Sequence, residues 1–170
     1  MAFLWRTRKR QDHSSSHHGR NHPSRAWAKS LWSRVCGDIP EGWRICGENL
    51  YAKHSIAYDD LTTYFMGFSV WNDRNWCLDW DATQEWFALL DIVSVPVLYD
   101  GIWNELLIKK LYDEKRDYNT HEGYVVRTAA GFDYGQFKKC VAKFVRANHV
   151  ATTAHHWFGQ QVIPNKLKVS

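Results

Sequence analysis

No two of the four cysteines, Cys36, Cys46, Cys77 and Cys140, form a Cys-x-x-Cys pair. Neither a zinc knuckle nor a disulfide framework is indicated, and reduced thiols in a cytoplasmic protein are expected. A run of about eighteen apolar residues, the length needed to span a bilayer, is also missing. The apolar patch in "MAFLWRTRKR" is too short, and in the wrong order, for a signal peptide. A soluble chain without membrane contact is expected. Internal repeats are absent, which excludes solenoids and propellers.

Aromatic side chains are abundant: ten Trp, eight Phe and eight Tyr in 170 residues. Most should serve a core, with some left to stack on flat ligands. The length suits one globular core. The net charge of +4 owes much to Arg6, Arg8, Lys9, Arg10, Arg20 and Arg25, opposed locally only by Asp12. Such an arm suits a polyanion such as nucleic acid, or a solvated tail. Residues 1–19 are expected to lie outside the core, because "DHSSSHH" and its surroundings hold too few apolar side chains. His13, His17, His18 and His22 lack the carboxylates or second ligand cluster of a metal site.

Order is expected from about residue 20. Ser24 can cap a helix in which Trp27, Leu31 and Val35 recur at helical spacing, ended by Gly37 and Pro40. Strands are expected over 43–48, 64–71 and 76–80, the last two joined by the polar turn "NDRN". Asp81 and Gln84 stand in a capping-box relation before "EWFALL". "VSVPVLY" reads as an edge strand because of Pro96. "WNELLIKKLYDE" reads as an amphipathic helix, "EGYVVRTA" as a strand, "YGQFKKCV" as a helical turn and "AKFVRANHV" as a last strand. The whole is an α+β domain over residues 20–158, with an antiparallel-rich sheet flanked by helices. Residues 159–170 are a closing strand or tail. His155 and His156, beside Trp157, either touch RNA or dock onto the core.

Several strand positions hold residues that a purely structural sheet does not need. Glu48 in "RICGENLY" lies between Ile45 and Leu50, where a carboxylate needs a partner or ligand. Phe68 follows a glycine that can leave its ring open to a flat ligand. Glu122 precedes the apolar strand "GYVVR"; a glutamate there is commonly a solvated edge residue. Lys143 sits in "VAKFVR", with Arg146 nearby. A ring to stack on a base, two carboxylates for ribose hydroxyls and Mg²⁺, and a lysine for a phosphate are the parts of an adenine nucleotide pocket.

These motifs resemble those of the RNA ligase branch of the covalent nucleotidyltransferases, from about Arg20 to His156. "GENLY" is similar to the ribose-contacting carboxylate motif, and "YFMGFSVW" to the strand whose aromatic residue stacks on adenine. "EGYVVR" is similar to the Glu-Gly motif and "VAKFVRANHV" to the lysine motif. The resemblance implies a nucleotidyltransferase domain of the ligase adenylation (ATP-grasp-like) kind, with ATP and Mg²⁺ as cofactors. It implies ribose contact for Glu48, stacking for Phe68, a metal and α-phosphate role for Glu122 and a phosphate role for Lys143. Arg146 would supply the second cation, since Val145 holds the usual alternate position. RNA ends or nicks would be the partner of a monomeric protein.

The resemblance also implies a nucleophilic lysine in a Lys-x-Asp-Gly motif nearer the N-terminus. The only lysines before Glu48 are Lys9 and Lys29, and neither stands in such a motif. A strand arginine should follow that motif, where "HSSSHH" is found instead. An incomplete domain is therefore expected, from a frameshift, a misassigned start or the genuine loss of catalysis. Two readings stay open: an ATP-dependent RNA ligase or fragment of one, and an inactive nucleotide- or RNA-binding remnant.

Overall fold

The computed structural model describes residues 3–4, 23–53, 56–111, 121–145 and 163–169. The expected Ser24 cap, Arg146, and His155 to Trp157 fall outside the described side chains. The class is α+β, but with two antiparallel sheets where one was expected. The larger sheet has the order β1-β2-β3-β4-β6. Its strands are β1 (Phe3–Leu4), β2 (Arg44–Asn49), β3 (Phe65–Trp71), β4 (Trp76–Cys77) and β6 (Phe132–Asp133). The smaller sheet pairs β5 (Gly123–Arg127) with β7 (Val141–Val145). Segment 1–19, expected to lie outside the core, supplies β1, which pairs with Cys46 and Gly47.

Helix α1 (Pro23–Val35) opens on a proline, whose missing N–H costs nothing in a first turn. Trp27, Leu31 and Val35, four residues apart, pack against Ile45, Phe65, Val70, Phe87, Leu90 and Ile92. Helix α2 (Trp80–Leu89) reaches the same face of the large sheet through Phe87. Its start differs from the Asp81 capping box. Asp79 is the cap, and its Oδ1 accepts the Ala82 amide N–H at 2.8 Å. Gln84 instead donates to Ser94 Oγ at 3.1 Å. The run "DWDATQ" offers two aspartates, and the earlier one takes the cap.

The turn after β3 follows its polar sequence: Asn72 Oδ1 accepts the amides of Arg74 and Trp76, both at 3.0 Å. Asn75 takes the left-handed conformation, φ 63, that asparagine tolerates. β4 is shorter than the expected strand 76–80, because Trp80 already belongs to α2. The "VSVPVLY" segment is no strand either. It makes one parallel bridge, Gly67 to Ser94, held by Gly67 N–H to Val93 O and Val95 N–H to Gly67 O. Pro96 then removes the next donor.

Helix α3 (Glu105–Leu111) is the described part of the expected amphipathic helix, and Ile108 is its buried residue. With Trp103, Ile108 lines an opening against Tyr124, Val126 and Ala142, on one face of the β5–β7 ribbon. A 3-10 turn (Tyr134–Gln136) and the short α4 (Phe137–Cys140) form the helical turn expected before β7. No helix among the described residues is long and apolar enough to cross a membrane.

Candidate functional site

Along β2, Arg44, Cys46 and Glu48 alternate onto the face opposite α1 and α2, while Ile45 points into the α1–α2 core. Strict alternation in β3 would put Phe68 with Val70, in that same core. The ladder breaks this rule. Cys46 pairs with Ser69 but Gly47 pairs with Gly67, so Phe68 is an extra residue in β3. Such a bulge sets two successive side chains on one face. Phe68 accordingly packs beside Cys46, Trp71, Cys77 and Phe132, the face carrying Glu48. Glu48 itself pairs with Met66. Both Glu48 and Phe68 are half-buried.

The base of this face is built from buried side chains bonded to one another. Trp71 is buried, its Nε1–H donates to Ser69 Oγ at 3.0 Å, and the Arg44 guanidinium lies 4.7 Å from its ring centroid. Arg44 also donates to Asn75 Oδ1. Cys46 and Cys77 lie buried here. Burial pushes the Cys46 thiol up, against a lowering hydrogen bond from Ser69, and pushes Cys77 up to about 11. Since the thiolate is the reactive form, a thiol reagent at neutral pH should modify exposed Cys36 rapidly. Cys46 and Cys77 should react only in denaturant, as peptide mapping would show. Rapid labelling of Cys77 in the folded chain would contradict this packing.

Arg127, at the end of β5, joins the two sheets. Nη2–H donates to the Leu78 carbonyl at 2.9 Å and Nη1–H to the Phe68 carbonyl at 3.4 Å. Its guanidinium lies 5.6 Å from the ring centroids of both Trp80 and Phe132. Its partners, two carbonyls distant in the chain, are not readable from the sequence.

In the ribbon, Lys143 pairs with Val125 and Arg127 with Val141, so strand alternation assigns Lys143 to the Arg127 face, while Lys143 also borders the opening between the ribbon and α3. Lys143 is exposed. Glu122 is half-buried and directly precedes the first rung, Gly123 to Val145. Gly123 has φ 150, so strand alternation does not dictate the side taken by Glu122. Lys29 is exposed on α1, and that helix covers the other face of the large sheet from Glu48. Lys9 lies outside the described residues. Among those described, no group of three or more His, Cys, Asp or Glu side chains is placed to hold a metal ion.

Asn165 escaped the sequence reading. It is 5% exposed and meets the loop that follows Glu48. Nothing local marks it, because its partners lie more than a hundred residues earlier.

No curated protein and no solved structure shows significant similarity to this chain. The profile of the RNA ligase family matches residues 4–145, a span that contains Glu48, Phe68, Glu122 and Lys143 and begins ahead of Arg20. The chain therefore belongs to the RNA ligase family.

Proposed function

We propose that this chain binds ATP on the face shared by Glu48 and Phe68, next to the ribbon bearing Glu122 and Lys143, and that RNA ends or nicks are its macromolecular partner. Family membership supports an RNA ligase-like function, with RNA and ATP as substrates. The observation that carries the nucleotide reading is the bulge, which sets the Phe68 ring on the Glu48 face. Arg127 then ties the ribbon to the Phe68 carbonyl itself.

In this proposal Phe68 stacks on adenine, Glu48 accepts hydrogen bonds from the ribose, and Lys143 faces the α-phosphate, with Arg146 as a second cation. Mg²⁺ commonly binds through one or two carboxylates plus substrate phosphates, so Glu122 suits it although no all-protein cluster is formed among the described residues. The ion would neutralise phosphate charge. A cytoplasmic, monomeric protein is part of the same proposal.

Adenylyl transfer needs an amine with a lowered pKa in a fixed, partly desolvated place. Exposed Lys29, on the helix behind the sheet, offers none. The proposal is therefore non-covalent ATP binding without formation of enzyme-AMP by the chain as it stands. Incubation with α-labelled ATP and Mg²⁺, then denaturing electrophoresis, should leave the protein unlabelled, while equilibrium binding detects ATP. Phe68→Ala should weaken that binding roughly tenfold or more, as stacking on a base contributes about 1–3 kcal/mol. A covalent label lost in Lys9→Ala or Lys29→Ala would overturn the non-covalent reading. Unchanged ATP affinity in a folded Phe68→Ala would overturn the assignment of the face.

A further inference from the structure

We infer that Asn165 is a positioning residue for Glu48, and that residues 163–169 complete the nucleotide site from outside the family match; this rests on the ATP-binding reading of the Glu48 face. Three successive carbonyls just after β2 accept from this one residue. Asn165 Nδ2–H donates to Leu50 O at 2.8 Å and Ala52 O at 3.4 Å, and its backbone N–H to Tyr51 O at 2.8 Å. Its Oδ1 accepts the Tyr58 amide N–H at 3.0 Å, and its carbonyl accepts the Tyr64 hydroxyl at 3.0 Å. Every hydrogen-bonding group of a buried asparagine is thus spent on the connection between β2 and β3.

The neighbouring residues extend the clasp. Lys53 N–H donates to Ile163 O, Lys166 N–H to Tyr58 O, Leu61 N–H to Lys166 O and Lys168 N–H to Leu61 O. Lys166 also pairs with Asp59 at 3.4 Å, an exposed contact of little weight. Glu48 is followed by Asn49, the end of β2, and then by the carbonyls that Asn165 holds. Fixing those peptides fixes how β2 leaves the sheet, and so the direction from which Glu48 meets a ribose. By reciprocity of linkage, a clasp that improves ATP binding must itself be tightened by ATP.

Two measurements on the full chain test this. In the wild type, saturating ATP should slow hydrogen exchange at the amides of Tyr58, Asn165 and Lys166. In Asn165→Asp, which keeps the shape but turns both Nδ2 donors into an acceptor facing two carbonyls, ATP affinity should fall about tenfold. Its preference for ATP over 2′-deoxy-ATP should fall to that of Glu48→Gln, whereas a merely stabilising residue would leave that ratio intact. A preserved ratio in folded Asn165→Asp, or unchanged exchange at those amides, overturns the inference. If Asn165→Asp does not fold, the wild-type exchange result decides. A wild type that binds no ATP removes the nucleotide reading and this inference with it. A wild type that binds ATP with a ribose preference while the clasp amides stay unmoved removes this inference alone.

Discussion

Alanine at Gly123 should open the β5–β7 ribbon. The backbone there has φ 150, a conformation that costs an L-residue about 1–3 kcal/mol. A Cβ would also run into the Phe144 carbonyl oxygen and lie 2.9 Å from Val145 Cα. Both belong to the backbone of the partner strand, so no side chain can rotate aside. Relief requires the strands to part, at about another 1–3 kcal/mol. The sum is several kcal/mol in a fold whose total stability is of order 5–15 kcal/mol. Hydrogen exchange should rise at the ribbon amides while β2 and β3 stay protected. ATP binding should drop by more than tenfold, because Glu122 and Lys143 both ride on this ladder. Wild-type stability within 0.5 kcal/mol in denaturant, a threshold of roughly the size expected for neutral surface changes, would refute the rung as drawn.

Phe87→Ala should destabilise the large sheet by about 3–5 kcal/mol, the usual cost of deleting a core phenylalanine. Phe87 is 2% exposed among Val35, Ile45, Phe65 and Val70. Its ring also occupies the space over Gly67, where a Cβ would come within 2.7 Å of Cε1. Gly67→Ala alone should therefore cost about 1–3 kcal/mol through overpacking. Combined, the two changes should cost less than their sum by at least 0.5 kcal/mol, within the coupling commonly found for residues in contact. Urea denaturation of the four proteins of this cycle measures it. Strict additivity would show that Phe87 does not pack on Gly67.

What the sequence disclosed was local. Trp27, Leu31 and Val35 announced α1 by spacing alone, and the apolar runs around Cys46, Val70 and Val126 announced β2, β3 and β5. The α2 cap was displaced by two residues because Asp79 and Asp81 are chemically alike, and tertiary approach of Ser94 drew Gln84 away. Alternation in "VSVPVLY" suggested a strand, but only Val93 to Val95 find a partner backbone. The division into two sheets, the side of the sheet taken by Phe68, and the reach of Arg127 depend on which strand lies beside which. Period-two patterning carries no such information. Glu48 and Phe68 both lie on strands of the large sheet, yet without the bulge they would face opposite ways.

The Arg127 junction has a mechanical side. The ribbon is fastened to the large sheet at one end, where Arg127 and Val141 sit, and Glu122 lies five residues out along β5. At about 3.3 Å per residue this is a cantilever roughly 16 Å long. A tilt of only about 4° at the fastening displaces its tip by about 1 Å, by the geometry of a rod of that length. The stance of the tip thus depends on an arginine at the root, with α3 as a prop along one side of the ribbon.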